Sequence, residues 1–299
     1  MFRTLQNTAT IDVTLVPDGP ILVRAQSVGI DPGPADMEFQ RTHRNGKPTV
    51  FLAGSGLKGV LRSHSERILR SYDRFACDPT QTKDERSCGK KKKIGQPQLP
   101  DYPHAGQCGA CFTFGSLKLA GRFRIGDAFP ALGMEEETNR TEVRTGVGID
   151  RRSQASAQGV LYDSEVVVSG GFRARISGEN FSLWQLGLLL SALQDFDSGL
   201  LRIGGAKARG MGSVRVQDWS IEVGFLNQEN GMITGARPSE GDQGRYGLPA
   251  NDSLYAPAGG KELRRGIFRT LRYEQDKPVQ NFAATLIEGP LRRYLERRD

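Results

Sequence analysis

The stretch SLWQLGLLLSALQDF at residues 182–196 decides the fold of this chain. Ser182 and Gln185 have the spacing of a capping box, in which two side chains satisfy backbone donors at the start of a helix. The leucines behind them occupy nearly every side of a helix, so we predict that this helix is buried in the core. A glycine-rich turn at residues 204–212 follows, and it leads into a strand with alternating apolar residues at 214–219.

The segments on the N-terminal side of this helix predict an α+β fold. We expect strands at residues 11–16, 122–129 and 160–176, and an amphipathic helix at residues 57–68. Strand 11–16 is expected to turn back as a hairpin with residues 21–23. The run 160–176 is long enough for a hairpin or for a strand bent around Gly170-Gly171. The order strand, helix, strand, strand, helix, strand suits a ferredoxin-like, RRM-like βαββαβ core whose open sheet face can meet RNA.

Composition and charge restrict the class of protein. The 299 residues include 41 Lys+Arg and 34 Asp+Glu, a formal net charge of +7, which favours a polyanionic partner but also fits an ordinary basic surface. No apolar run approaches the roughly 20 residues of a membrane helix, and the first residues lack the apolar core of a secretion signal. We therefore expect a cytoplasmic protein that does not bind membranes.

Four cysteines lie within a polar insert between residues 71 and 121, which also carries the run Lys90–Lys93 and is expected to have no core of its own. Their order is Cys77, Cys88, Cys108 and Cys111. The final CxxC pair brings two thiolates onto one ion, and four thiols in one insert favour a structural zinc site over disulfides in an intracellular chain. His104 is a reserve ligand, and a redox CxxC is the alternative.

Two glycine-rich segments are candidate phosphate-binding sites. Residues 54–62 place small residues at the start of a helix, where free N–H groups can bind an anion. Residues 204–212 combine closely spaced glycines with Lys207 and Arg209, so backbone and cations together suit a phosphodiester. A solvated helix start and a tight connection to a strand are the respective structural alternatives.

Four segments together resemble the signature motifs of the RAMP superfamily. They are Gly54-Ser55-Gly56-Leu57-Lys58-Gly59 followed by Arg62, Phe114-Gly115-Ser116, Thr141-Glu142-Val143-Arg144 with Ile149-Asp150-Arg151, and Gly204-Gly205 through Arg209-Gly210-Met211-Gly212. The resemblance covers residues 8–223, and four motifs in the family's order are more specific than any one of them. The chain is most similar to backbone subunits of type III CRISPR effector complexes. Its cysteine-bearing insert resembles the zinc-containing domains of the type III-D and III-E branches.

The resemblance implies a subunit that polymerises along a CRISPR guide RNA, beside other effector subunits and further copies of itself. Each copy inserts a β-ribbon thumb between guide bases, and complementary target RNA is cut at regular intervals beside each thumb. Guide contacts are implied for the residues that match the motifs or belong to the glycine-rich turn: Ser55, Lys58, Arg62, Arg144, Arg151, Gly204, Gly205, Lys207 and Arg209.

Relatives of this kind cut target RNA with an aspartate in the loop before the GSxLKG segment. Asp36 is the better match because an extended stretch and a turn follow it, whereas Asp31 in Asp-Pro-Gly suits a turn. The carboxylate can hold Mg²⁺ or another divalent ion, or act as base on a 2′-hydroxyl. Two alternatives remain: a non-catalytic guide-RNA scaffold, and an endonuclease that processes precursor guide RNA with His43.

The expected domain division follows from these assignments. Residues 1–230 form the RAMP domain, with the zinc- and lysine-rich insert at about 72–120 and the thumb region at about 130–160. Residues 231–299 form a Gly/Pro-rich linker and a basic C-terminal helix.

Overall fold

A computed structural model describes residues 4–25, 35–81, 87–89, 104, 106–226, 231–238, 246–249 and 251–297. The strands are β1 (Asn7–Pro17), β2 (Arg41–Arg44), β3 (Lys47–Val50), β4 (Gly115–Ser116), β5 (Leu119–Ala120), β6 (Phe123–Ile125), β7 (Phe129–Pro130), β8 (Thr141–Ile149), β9 (Ser156–Val167), β10 (Phe172–Glu179), β11 (Val214–Phe225), β12 (Met232–Thr234), β13 (Ser253–Tyr255), β14 (Lys261–Arg265) and β15 (Phe268–Glu274). The α-helices are α1 (Gly54–Ser71), α2 (Gly109–Phe114), α3 (Glu135–Asn139), α4 (Leu183–Asp197), α5 (Asp276–Leu286) and α6 (Arg292–Glu296). A 3-10 turn covers Lys207–Arg209, and a π-helical turn at Ile287–Leu291 joins α5 to α6.

The main sheet is antiparallel, and β1 lies at its centre. Its strand order is β14-β15-β11-β1-β10-β6, and β7 also pairs with β10. The four strands β11-β1-β10-β6 are the fourth, first, third and second of the predicted core strands. Ile11 of β1 lies between Ile176 of β10 and Ile221 of β11, and all three are buried. The mixed helices and antiparallel sheet confirm an α+β fold.

Helix α4 fills the core on one face of this sheet. The Gln185 side-chain oxygen accepts a hydrogen bond from the Ser182 N–H at 2.9 Å, as the predicted capping box requires. Every residue from Leu183 to Leu190 is buried, which confirms the predicted core helix. The opposite sheet face carries ion pairs such as Arg175 with Asp12 at 2.8 Å, because alternate residues of a strand point to opposite faces.

The predicted hairpin between strand 11–16 and residues 21–23 is wrong. Strand β1 pairs along one edge with β10 and along the other with β11, so neither edge is open to a local partner. Ile21 instead exchanges backbone hydrogen bonds with Val167 of β9 at 2.8 and 3.0 Å. The chain therefore leaves the main sheet after β1 and passes the base of another ribbon.

The run 160–176 does not form a hairpin either. Its first part belongs to β9, which pairs with β8 as a separate two-stranded ribbon, and its last part belongs to β10 in the main sheet. The chain bends between them at Gly170, whose φ is +76°. The ribbon β8–β9 occupies the region predicted for the thumb and extends from it to Val167.

The insert contains a buried core, contrary to the sequence-based expectation. The cysteines pack in one cluster with Phe112 of the insert itself and with apolar residues of α1, α4 and the C-terminal segment: Leu69, Trp184, Leu188, Leu291 and Leu295. Residues that are distant in sequence supply this core, so the insert's own composition could not reveal it. The run Lys90–Lys93 lies outside the described residues.

The C-terminal residues extend the same sheet. Strand β15 pairs with β11 from Ser220 to Phe225, and β14 pairs with β15 at the edge. Helix α5 begins at Asp276 and buries Phe282 and Leu286 in the main core. The division at residue 230 stays a prediction.

Candidate RNA interface and metal centre

The start of helix α1 is fixed by close packing at Gly54. A Cβ atom at this position would lie 2.3 Å from the Ile125 carbonyl oxygen, so only glycine fits. The Gly54 N–H donates to the Asp127 carboxylate at 2.7 Å, which satisfies one backbone donor at the N-terminus. Ser55 follows on the exposed surface.

The glycine-rich turn is fixed against residues 20–22. Gly204 has φ of +72°, and a Cβ there would lie 2.1 Å from the Leu22 carbonyl oxygen. The Gly205 N–H donates to that same oxygen at 2.8 Å, and the Gly212 N–H donates to the Pro20 oxygen at 2.8 Å. These contacts give the glycines a structural role as the tight connection between α4 and β11.

The two glycine-rich segments meet across a cavity of about 300 Å³, which we call the motif cavity. Ser55 and Gly56 line one side, and Gly204 lines the other. The polar side chains of Arg24 and Gln40 also reach this cavity. The arrangement brings two sequence motifs that are about 150 residues apart to one concave surface. The guanidinium of Arg24 adds a positive charge to that surface.

Asp36 lies at the base of the ribbon β8–β9. Its Oδ2 accepts a hydrogen bond from the Asp163 N–H at 3.0 Å, and the Met37 N–H donates to the Asp163 carbonyl oxygen at 3.0 Å. The Asp36 side chain is exposed. His43 is exposed on the separate ribbon β2–β3, and Asp31 lies outside the described residues.

The ribbon β8–β9 carries several apolar side chains in solvent. They are Val143, Val147, Ile149, Val160 and Leu161, with between 44% and 68% of each residue exposed. Arg144 and Arg151 are exposed on the same ribbon, and Arg144 lies 3.6 Å from Glu142. Large exposed apolar groups on a projecting element mark a binding surface more often than chance.

Arg209 connects the glycine-rich turn to this ribbon. Its Nη1 donates to the Tyr162 hydroxyl at 2.5 Å, and its guanidinium lies 5.5 Å from the centre of the Tyr162 ring. Tyr162 is the neighbour of Asp163, whose backbone contacts Asp36. The predicted catalytic loop, the ribbon and the glycine-rich turn are thus contiguous.

A partly exposed ion pair holds the Asp36 loop against the ribbon. Glu165 of β9 pairs with Arg41, and it also accepts hydrogen bonds from the Phe39 N–H at 2.8 Å and from the Thr141 hydroxyl at 2.6 Å. Burial opposes ionisation of Glu165, but the hydrogen bonds outweigh it and lower its pKa to about 2. Glu165 therefore stays a carboxylate that links the loop to the base of the ribbon.

The cysteine side chains form a compact buried cluster. Their four Sγ atoms all lie within 4.8 Å of one another, and none is in a disulfide. Cys77 Sγ lies 3.4 Å from Cys111 Sγ and 3.8 Å from Cys108 Sγ, whereas a tetrahedral ZnS₄ centre places its sulfurs about 3.8 Å apart. The hydrogen bond from Cys108 lowers the pKa of Cys77, which favours a thiolate there. The donor set fits a structural metal such as zinc.

His104 is not a ligand of this cluster. Its Nδ1 lies 3.0 Å from the Tyr246 carbonyl oxygen, its Nε2 lies 3.0 Å from the Tyr294 hydroxyl, and its ring stacks on Phe112 at 4.4 Å. Both ring nitrogens thus have protein partners, and the reserve role predicted for His104 is wrong.

Arg62 lies between helix α1 and the cysteine cluster. Its guanidinium donates to Glu66 at 2.9 Å, to the Gly115 carbonyl oxygen at 2.8 Å and to Cys111 Sγ at 3.0 Å. Lys58 is half-buried on the same side of the helix, and burial together with the nearby Arg62 charge lowers its pKa. Both line a cavity of about 540 Å³ beside Cys77 and Cys111.

The sequence model of the RAMP superfamily matches residues 17–215, about two thirds of the chain. This protein belongs to the RAMP superfamily. Membership indicates a CRISPR-associated function in RNA binding, with CRISPR RNA and effector-complex subunits as partners. No curated protein matches the chain. In the part of the chain that the structure describes, no helix is long and apolar enough to span a membrane.

The RAMP match includes the motif cavity, the ribbon and all four cysteines. Sequence reasoning missed three residues of this region: Arg24, Tyr162 and Glu165. Tyr162 had a usable signal, because it is an aromatic residue beside the predicted thumb region. Arg24 and Glu165 had none, since their importance depends on strands that pair only in the folded RAMP domain.

Proposed function

We propose that this RAMP protein is a guide-RNA-binding backbone subunit of a type III CRISPR effector complex, from the zinc-containing III-D/III-E-like branch. The core strand order β11-β1-β10-β6 supports the ferredoxin-like arrangement expected of such a subunit. The motif cavity would hold the guide, and the ribbon β8–β9 would act as the thumb whose exposed apolar side chains enter between bases.

We further propose that the subunit cleaves complementary target RNA at Asp36. The observation that carries this proposal is that an exposed carboxylate lies at the base of the ribbon, where its backbone neighbour Asp163 orients one oxygen. A strand displaced by the thumb would pass this position. In-line attack by a 2′-hydroxyl on the adjacent phosphorus, with departure of the 5′ oxygen, needs a proton acceptor and charge stabilisation there.

A divalent ion such as Mg²⁺ would supply the charge stabilisation. Asp36 offers its second carboxylate oxygen as a ligand, and the cysteine cluster is the one group of three or more candidate ligands found in the described residues. The ion would therefore be held by one carboxylate together with RNA phosphates and water, as is common for Mg²⁺.

The test is cleavage of a labelled complementary RNA by the reconstituted guide-bound complex with Mg²⁺. Asp36→Asn keeps an oxygen that can accept the Asp163 N–H, so we expect target binding to persist and the regularly spaced cuts to disappear. Asp31→Asn and His43→Ala are the matched controls, and we expect both to cut. Binding and cutting by Asp36→Asn at wild-type rates would refute the assignment.

The same assay separates the two alternatives. A complex that binds target but produces no cuts in the wild type is a scaffold. If the wild-type protein cuts precursor guide RNA during brief chelation and the His43→Ala variant does not, the protein is a processing endonuclease. Chelation must be brief because it can also remove a metal from the cysteine cluster.

A further inference from the structure

A second cavity, of about 230 Å³, lies between helix α1 and the segment that follows α4. Three cationic side chains line it: Arg67 from α1, Arg202 from the loop and Lys207 from the glycine-rich turn. Ser63 lines it as well. No carboxylate is among the lining residues in the described structure, although acidic residues make up 34 of the 299. We call this the basic cavity.

The cations of the basic cavity have no carboxylate partner in the part of the chain that the structure describes. Among the described residues, neither Arg67, Arg202 nor Lys207 makes an ion pair. Arg202 is instead positioned by a hydrogen bond from its Nη1 to the Lys207 carbonyl oxygen at 3.0 Å. Partial burial lowers the pKa of Lys207. Three uncompensated cations in one concavity form an anion-binding surface.

The buried wall of this cavity includes His64. Only 6% of this residue is exposed, and its Nε2 lies 2.5 Å from the Asp195 carboxylate. Its Nδ1 is buried and has no hydrogen-bond partner among the described residues. The Asp195 carboxylate contacts the His64 imidazole and does not line the cavity, so it does not pair with the three cations.

The basic cavity and the motif cavity adjoin each other. Val60 lines both of them, so the concave surface continues along helix α1 from Ser55 to Arg67. The step from Ser55 to Ser63 covers about 12 Å along the helix axis, at 1.5 Å per residue. One extended polyanion can therefore occupy both cavities, whereas a small free anion would occupy one.

We propose that Arg67, Arg202 and Lys207 bind a backbone phosphate of the RNA strand that occupies the motif cavity. The inference rests on the proposed RNA-binding function and adds Arg67 and Arg202, which belong to none of the family's motifs. The planar guanidinium groups suit bidentate contact with phosphate oxygens, and Lys207 adds a point charge. Contact with the phosphate does not depend on base identity.

The test is fluorescence anisotropy of a short unstructured single-stranded RNA, titrated with the whole protein at several salt concentrations. We expect Arg67→Gln/Arg202→Gln to bind roughly tenfold more weakly than wild type, at about threefold per lost surface charge contact. Because the three cations share one phosphate, the slope of log affinity against log salt should become shallower by about 0.7, the value for one lost phosphate contact on a single strand. The loss should be the same for RNAs of different sequence.

Arg124→Gln/Arg292→Gln is the matched control. It also removes two positive charges, but each of these arginines is paired with a glutamate outside both cavities, Glu179 and Glu296 respectively. We expect this control to bind within twofold of wild type. Equal affinity and equal salt slope for the two double variants would overturn the basic cavity as a phosphate site.

Failure of the proposed function gives a different result. If the wild-type protein does not bind single-stranded RNA at low salt, both proposals fall. If Arg209→Gln weakens binding while Arg67→Gln/Arg202→Gln matches the control, RNA binding stands and the basic cavity does not. Thermal unfolding checks that each variant is folded, and the single variant Arg67→Gln decides the question if the double variant is not, since Arg67 is exposed.

Discussion

Arg62→Ala tests whether this motif arginine joins helix α1 to the cysteine cluster. Only 17% of the Arg62 side chain and 10% of the Glu66 side chain are exposed, so the substitution leaves a buried carboxylate that has lost its nearest cation. It also leaves the Gly115 carbonyl oxygen and Cys111 Sγ without the donors they have now. Arg70 remains near Glu66 at 3.6 Å and compensates in part.

The expected loss of stability follows from these contacts. A charge-assisted hydrogen bond contributes about 1.5–3 kcal/mol, and breaking a fully buried ion pair costs about 3–5 kcal/mol. Water can enter from the adjoining cavity of about 540 Å³, and Arg70 stays, so we expect about 2–3 kcal/mol in total. For a protein of this size that lowers the midpoint of thermal unfolding by roughly 3–5 °C.

The assay combines thermal unfolding with competition for zinc by a chromogenic chelator. Outer hydrogen bonds to a metal ligand typically change metal affinity by about 10- to 100-fold, so Arg62→Ala should also lose metal more readily. Arg67→Ala is the matched control on the same helix, and it should change stability by less than about 0.5 kcal/mol. Equal melting and equal metal retention in the two variants would refute the structural role and leave Arg62 available for the guide contact that the motif implies.

Three further predictions concern the ribbon, the metal and the glycine-rich turn. The Glu165 pKa of about 2 lies below its ordinary 4.5, so the carboxylate stabilises the fold fully above pH 4.5 and less as pH falls towards 2. Urea unfolding across that range should show a loss of about 1–2 kcal/mol after solvent screening. The loss should be smaller in Arg41→Gln, where the Phe39 and Thr141 hydrogen bonds to Glu165 remain, and an equal loss in both proteins would contradict the role of Arg41. Chelation should release about one zinc ion per chain and shift the fluorescence of Trp184, which packs in the cysteine cluster, and protein with no bound metal would contradict the site. Gly204→Ala should destabilise by about 2 kcal/mol more than Gly210→Ala, because both have positive φ but only the first meets a carbonyl oxygen, and equal unfolding midpoints would contradict this.

Local sequence patterns predicted the helix and the strand whose own apolar residues form the core. The capping box and leucine content of residues 182–196 specified α4, and the alternation in 11–16 specified β1. The partners of β1 could not be predicted in this way, because β10 and β11 lie more than 150 residues away along the chain. The turn expected between residues 16 and 21 indicates where a strand ends, but it cannot show that both edges of that strand are already occupied.

The candidate site shows the same limit. The CxxC spacing predicted the cysteine cluster, because short local spacing restricts where two thiolates can point. The glycine-rich motifs predicted phosphate-binding segments. The structure adds that Gly54 and Gly204 each pack against a carbonyl oxygen of another segment, which leaves no room for a Cβ atom. Arg202 and Arg67 had no local signal, because their relation exists only after α1 packs beside the segment behind α4.

Helix α1 directs its cationic side chains into two different cavities. One cavity lies beside the cysteine cluster, and the other is the basic cavity proposed to bind RNA. Lys58 and Arg62 line the cavity beside the cysteines, whereas Val60, Ser63 and Arg67 line the basic cavity. Residues three and four apart share a helix face, so each set forms one stripe. If RNA follows the motif cavity into the basic cavity, charge loss at Arg67 should reduce RNA affinity more than loss at Arg62, whose main effect should be on metal retention. The opposite ranking would place the RNA on the cysteine side of the helix.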